Sequence, residues 1–81
     1  MTAQQETLME ELANRDFVFT EESDAVVYEK ETREGSESVT ILPQSKSALH
    51  ERWNKNGVLV STSRYNTERP AEMMQLLNST H

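Results

Sequence analysis

The side chains in this sequence that could do chemistry are two histidines, eight serines and fourteen carboxylates, with no cysteine among them. Metal binding needs ligands at spacings such as HExxH, and His50 and His81 offer no such grouping. His50, followed by Glu51 and Arg52, reads as a surface strand residue rather than a ligand or a base. The only glycines, Gly35 and Gly57, fall in expected turns, so no loop is left to cradle a phosphate or a dinucleotide. No serine lies in a GxSxG elbow, and a Ser–His–Asp site needs a concave pocket that a thin core can hardly enclose. Carboxylates are abundant, but catalytic pairs work because burial drives their pKa values apart, and these flank turns where water solvates them. The sequence therefore reads as non-enzymatic, with no cofactor and no metal.

The chemistry that remains is charge. Residues 1–37 hold 11 acids and 3 bases, a net −8, whereas residues 38–81 hold 3 acids and 5 bases, a net +2. An acidic pole disfavours direct contact with nucleic acid or an anionic membrane and favours a basic partner. Its densest stretch is VVYEKETREGSESVTIL, residues 26–42, where Glu29, Glu31, Glu34 and Glu37 surround only Lys30 and Arg33. Alternate residues of a strand lie roughly 6.6–6.8 Å apart on one face, so Glu29 and Glu31 are spaced like two axial steps of a DNA strand. A row of carboxylates can thus occupy a groove built for phosphates. The candidate partner-binding residues are Glu21, Glu22, Asp24, Glu29, Glu31, Glu34 and Glu37. A plainer role for the same glutamates is to oppose edge-to-edge aggregation of exposed hairpins and keep the protein soluble.

Two further readings compete. Lys46, Arg52, Lys55, Arg64 and Arg69 stand near Trp53 and Tyr65, and bases interleaved with aromatics can hold RNA or single-stranded DNA. Five bases in a net-negative chain form a weak footprint for that role. Alternatively, Met73, Met74 and Leu77 could make an adaptable strip by which an accessory subunit, itself a homodimer, docks into a larger complex. The leading expectation is a small acidic binding module or inhibitor that engages a basic site on a nucleic-acid-handling protein. In size, charge and lack of catalytic motifs the chain resembles small phage-encoded inhibitors, including anti-CRISPR proteins and other DNA mimics. That resemblance rests on composition and assigns no functional residue.

These residues need elements to position them. Thr2 and Gln5 fit a capping box that opens a helix from about Thr2 to Asn14, with Leu8, Met9, Leu12 and Ala13 on one face. Phe17 and Phe19 alternate along a short strand, Glu21 to Asp24 make a polar turn, and a second strand runs from Ala25 to Glu31. The segment TREGSE is an acidic turn containing Gly35, and a third strand spans Ser38 to Leu42 until Pro43 blocks its continuation. Residues 44–52 could open a short helix or form a strand. The strand is preferred, because NKNG at residues 54–57 is a hairpin signal and Val58 to Tyr65 is β-prone. A last helix starts near Thr67 as N-cap, tolerates Pro70 in its first turn and presents Met73, Met74, Leu76 and Leu77.

The 81 residues make one domain. Short hairpins imply an antiparallel sheet of four to five strands, covered on one face by the N-terminal and C-terminal helices: an α+β fold. The expected core sets Leu8, Met9, Leu12, Met73, Leu76 and Leu77 over Phe17, Phe19, Tyr28, Ile41, Trp53 and Val60. Only 16 residues are Leu, Ile, Val or Phe, so the core is thin and a homodimer would add buried area. No basic region precedes an apolar run at the N-terminus and no long apolar stretch occurs, so the expected location is the cytoplasm.

Overall fold

The computed structural model describes residues 1–21 and 23–81, with Glu21 described in its backbone alone. Helix α1 (Ala3–Asn14) leads into strands β1 (Val18–Glu21), β2 (Val26–Thr32), β3 (Gly35–Leu42), β4 (Ser47–Asn54) and β5 (Leu59–Asn66), and helix α2 (Pro70–Ser79) follows. The strands form one antiparallel sheet in the order β1-β2-β3-β4-β5, each paired with its neighbour in sequence. The fold is α+β, and residues 44–52 contain the strand rather than a helix from Ser47 onward. Among the described residues, no helix is long and apolar enough to cross a membrane.

Local sequence explains both ends of α1. The Thr2 hydroxyl accepts the Gln5 N–H at 3.1 Å, and the Gln5 side chain accepts the Thr2 N–H at 3.2 Å, which completes the capping box. At the other end the Asp16 N–H donates to Ala13 O and the Phe17 N–H to Leu12 O, while Asp16 takes a left-handed φ of 70°. This is a Schellman stop, with the short polar Asp tolerating a conformation that a branched residue would resist. It also turns Phe17 back onto Leu12, both of them buried in the core.

Cross-strand register defines the two sheet faces. On the covered face, Val26, Ile41, Ala48 and Tyr65 form one row across β2 to β5, and Tyr28, Val39, His50 and Ser63 form the next. The third row is Lys30, Glu37, Arg52 and Ser61. Leu8, Leu12 and Leu76 of the helices bury themselves against the apolar part, with Met9, Met73 and Leu77 packed at its margin. The covered face therefore grades from apolar at one end of the strands to charged at the other.

The expected core needs correction at three positions. Trp53 pairs with Leu59 and with Ser36, whose side chains belong to the open face, and Val60 is 58% exposed. A β-bulge opposite Arg52 and Trp53, in which Val60 is the extra residue, shifts the β4–β5 register there. Phe19 sits on the edge strand β1 and is 50% exposed, although its ring meets Tyr28 edge-on at 5.7 Å. Val39, Ala48 and Tyr65 complete the core in their place.

Thr67 also departs from expectation. Arg69 is the N-cap of α2 and makes no side-chain cap bond, with Pro70 opening the helix. Thr67 is fully buried instead, and its N–H and hydroxyl both donate to Lys46 O, at 3.0 and 2.9 Å. The TREGSE turn is tighter than read: only Arg33 and Glu34 lie outside strands, and Gly35 already pairs with Thr32 and Asn54. Gly35 has a φ of +152°, and a Cβ there would lie 2.0 Å from Trp53 O.

Candidate functional site on the open sheet face

Strand alternation sorts the charges of β2. Glu29 and Glu31 project from the open face and are exposed, while Lys30 between them points to the covered face. There the Lys30 ammonium lies 5.6 Å from the centre of the Phe17 ring and donates to the His81 carbonyl. The base nearest in sequence is therefore turned away from the two carboxylates. Among the described residues, no ion pair within 4.0 Å involves Glu29, Glu31 or Glu34; the pairs formed are Glu11–Arg15, Glu37–His50 and Glu72–Arg69.

Two acids not among the candidate residues join this face. Asp16, held by the left-handed stop of α1, lines a shallow depression of about 450 Å³ together with Val18, Thr20, Glu29, Lys30, Glu31 and Ser36, three acids to one base. Glu51 lies in the same cross-strand row as Glu29, with Ser38 between them on β3. Strands are about 4.8 Å apart, so Glu29 and Glu51 stand roughly 10 Å apart across the sheet. Neither was singled out in the sequence: parity ties Glu51 to Trp53, which was expected in the core, and Asp16 needed the helix-stop geometry.

The seven candidate residues do not make one patch. Glu34, in the β2–β3 turn, is exposed and adjoins Glu31. Asp24 is exposed in the β1–β2 turn at the opposite end of β2, which at 3.4 Å per residue is about 20 Å from the Glu31 end. Glu22 and the Glu21 side chain lie outside the described residues. Glu37, expected in an exposed turn, is only 1% exposed. It belongs to β3 and points to the covered face, opposite Lys30 and Arg52.

Glu37 is the centre of a second polar cluster, beneath the last residue of the chain. Its Oε1 accepts the His81 N–H at 3.0 Å and lies 3.8 Å from His50 Nε2. The Arg52 guanidinium can only donate, so the 2.8 Å contact from its Nη1 makes His81 Nε2 the acceptor. Glu37 Oε2 and His50 Nε2 are buried with no hydrogen-bond partner. Burial is the main force holding the His50 pKa below its ordinary value of 6.5; the Glu37 carboxylate opposes this, while Arg52 and His81 add to it. His50 is thus a buried residue, not the surface one expected from its neighbours. Among the described residues, no group of three or more His, Cys, Asp or Glu is arranged to hold a metal ion.

The bases of the C-terminal half are dispersed. Arg52 and Arg64 belong to opposite faces of the sheet, and Tyr65 is buried against the helices. Met74 is 65% exposed on a groove of about 570 Å³ between α1 and α2, shared with Met73, Leu77 and Pro70. No protein-family model matches the sequence, and comparisons with curated proteins and with solved structures likewise return no match.

Proposed function

We propose that this chain is a non-catalytic protein-binding module that presents the open face of β2, at Glu29 and Glu31, to the basic surface of a nucleic-acid-handling protein. The observation that carries this reading is the alternation that exposes both carboxylates while turning the half-buried Lys30 to the other side. With no ion-pair partner among the described residues, they hold their attraction for cations placed by another molecule. Asp16, Glu34 and Glu51 extend the field, and Val18 and Ser36 supply uncharged contact area between them. Partner residues that normally grip phosphates at steps of about 7 Å meet carboxylates at the strand repeat of 6.6–6.8 Å. Binding would act by occupying that groove, and its association rate falls with added salt because the steering is long-ranged.

The test is association with a panel of purified basic nucleic-acid-binding proteins, comparing the natural chain with Glu29→Gln/Glu31→Gln. The reading expects at least one partner whose association rate drops about tenfold or more in the variant. Equal binding of both proteins to every partner contradicts it.

A further inference from the structure

We propose that a second copy of this chain pairs with the free edge of β5, in a twofold antiparallel register centred on Ser63, and joins two sheets into one of ten strands. β5 is an eight-residue edge strand, twice the length of the opposite edge β1. Its backbone direction is fixed by two bonds at its end. The Thr67 N–H donates inward to Lys46 O on the β4 side, whereas the Asn66 N–H points outward and is taken by the Glu72 carboxylate at 2.9 Å. Inward and outward groups alternate along a strand, so Thr62 and Arg64 turn their N–H and C=O groups away from β4.

The open edge is bracketed. Glu72 occupies the outward N–H of Asn66 at one end, and the bulge at Val60 breaks the regular ladder at the other. Between them Ser61 to Tyr65 is free, and its midpoint is Ser63. A twofold axis through Ser63 sets Thr62 of each copy opposite Arg64 of the other, which allows four main-chain hydrogen bonds. The register keeps both helix layers on the same side and puts the small Ser63 side chains together at the axis.

Charge complementarity selects a second copy as the occupant. Glu51 is the β4 partner of Thr62 on the open face. In this register the partner's Arg64 falls in the same cross-strand row as Glu51, two strands away and roughly 10 Å between Cα atoms. That distance suits an Arg–Glu pair, formed twice by symmetry. Arg64 is the only charged residue of β5, and within its own chain it donates to the Ser47 hydroxyl rather than to an acid. The exposed apolar side chains Val58, Leu59 and Val60 flank the pairing. The acidic β1–β2 ends point away from the axis, so the −8 halves do not confront each other.

Light scattering after gel filtration tests this, at chain concentrations on the order of 100 μM, where an interface of modest size is populated. The natural chain should scatter at twice the 9.3 kDa of one copy. Thr62→Pro removes an outward N–H that the β4–β5 ladder does not use, and should give the single-chain mass with an unchanged circular dichroism spectrum. Arg64→Glu should do the same, and Arg64→Glu/Glu51→Arg should restore the double mass. Should Thr62→Pro fail to fold, the Arg64 and Glu51 variants decide alone. A natural chain that stays at the single mass overturns the proposal, whether or not the edge accepts strands from other proteins. So does a dimer that survives Arg64→Glu.

Discussion

Glu37 and His50 meet diagonally across β3 and β4, with Oε1 and Nε2 3.8 Å apart, both side chains almost wholly shielded from water. Burial lowers the His50 pKa, so the folded state binds its proton less readily than the unfolded chain does. The unfolded state therefore holds more protons in the window below 6.5, and stability rises with pH through that window. The contribution is complete above the unfolded value and is lost as pH falls toward the depressed folded one. Lys30, Arg52 and His81 face the same cluster; the Glu37 carboxylate opposes the shift, and burial outweighs it. Thermal unfolding between about pH 8 and about pH 5 should show a falling midpoint, with a shallower fall in His50→Gln.

Removing Glu37 is a separate matter. Glu37→Ala leaves the His81 N–H without its acceptor and removes the carboxylate beside His50. The expected loss is about 1–3 kcal/mol of unfolding free energy, measured by urea denaturation at neutral pH. A surface turn glutamate, by contrast, would change stability by less than about 0.5 kcal/mol, the expectation for Glu34→Ala.

The two glycines should respond unequally. Gly35 adopts a positive φ, and an added Cβ would run into Trp53 O and Asn54 C, all backbone atoms. Gly35→Ala must move β3 away from β4 and should cost on the order of 2–4 kcal/mol. Gly57 also has positive φ, 78°, but open space surrounds its Cα, so Gly57→Ala should cost only about 1 kcal/mol. Denaturation midpoints of the two variants check the order.

The helix layer and the exposed bulge of β5 should also separate in mutation. Leu12 and Leu76 are fully buried, and truncating either to Ala should cost about 2–5 kcal/mol. That is a large part of what a domain of this length has to lose. Val60→Thr, at the exposed bulge of β5, should cost less than about 1 kcal/mol by the same denaturation assay.

Much of this architecture can be read from pattern. Thr2 and Gln5 announce the first helix, the alternation in residues 17–31 the first hairpin, and Asn54 to Gly57 the last one. What pattern could not convey is which face of each strand the helices would choose. Hydrophobicity alone favoured Trp53 and Val60 for the core, but the structure keeps Trp53 on the open face and leaves Val60 exposed as the extra residue of the bulge. Tyr65 and Ala48 fill that space because the bulge opposite Arg52 and Trp53 and the buried Thr67–Lys46 contact set how the final hairpin meets α2. The acidic residues divide for a similar reason. Glu37 belongs to the same acidic stretch as Glu31, yet a strand that begins at Gly35 rather than Ser38 carries it into the sheet and under His81.

The most direct test of the account pits two equal changes of charge against each other. Glu29→Lys/Glu31→Lys reverses the open face of β2, whereas Glu6→Lys/Glu10→Lys reverses exposed residues of α1 and alters net charge by the same amount. Binding to a basic partner captured by the natural chain should fall at least about a hundredfold in the first variant and less than about threefold in the second, by surface plasmon resonance at physiological salt. Equal losses in the two variants, or no loss in the first, would contradict the assignment of the binding surface to the open face of β2.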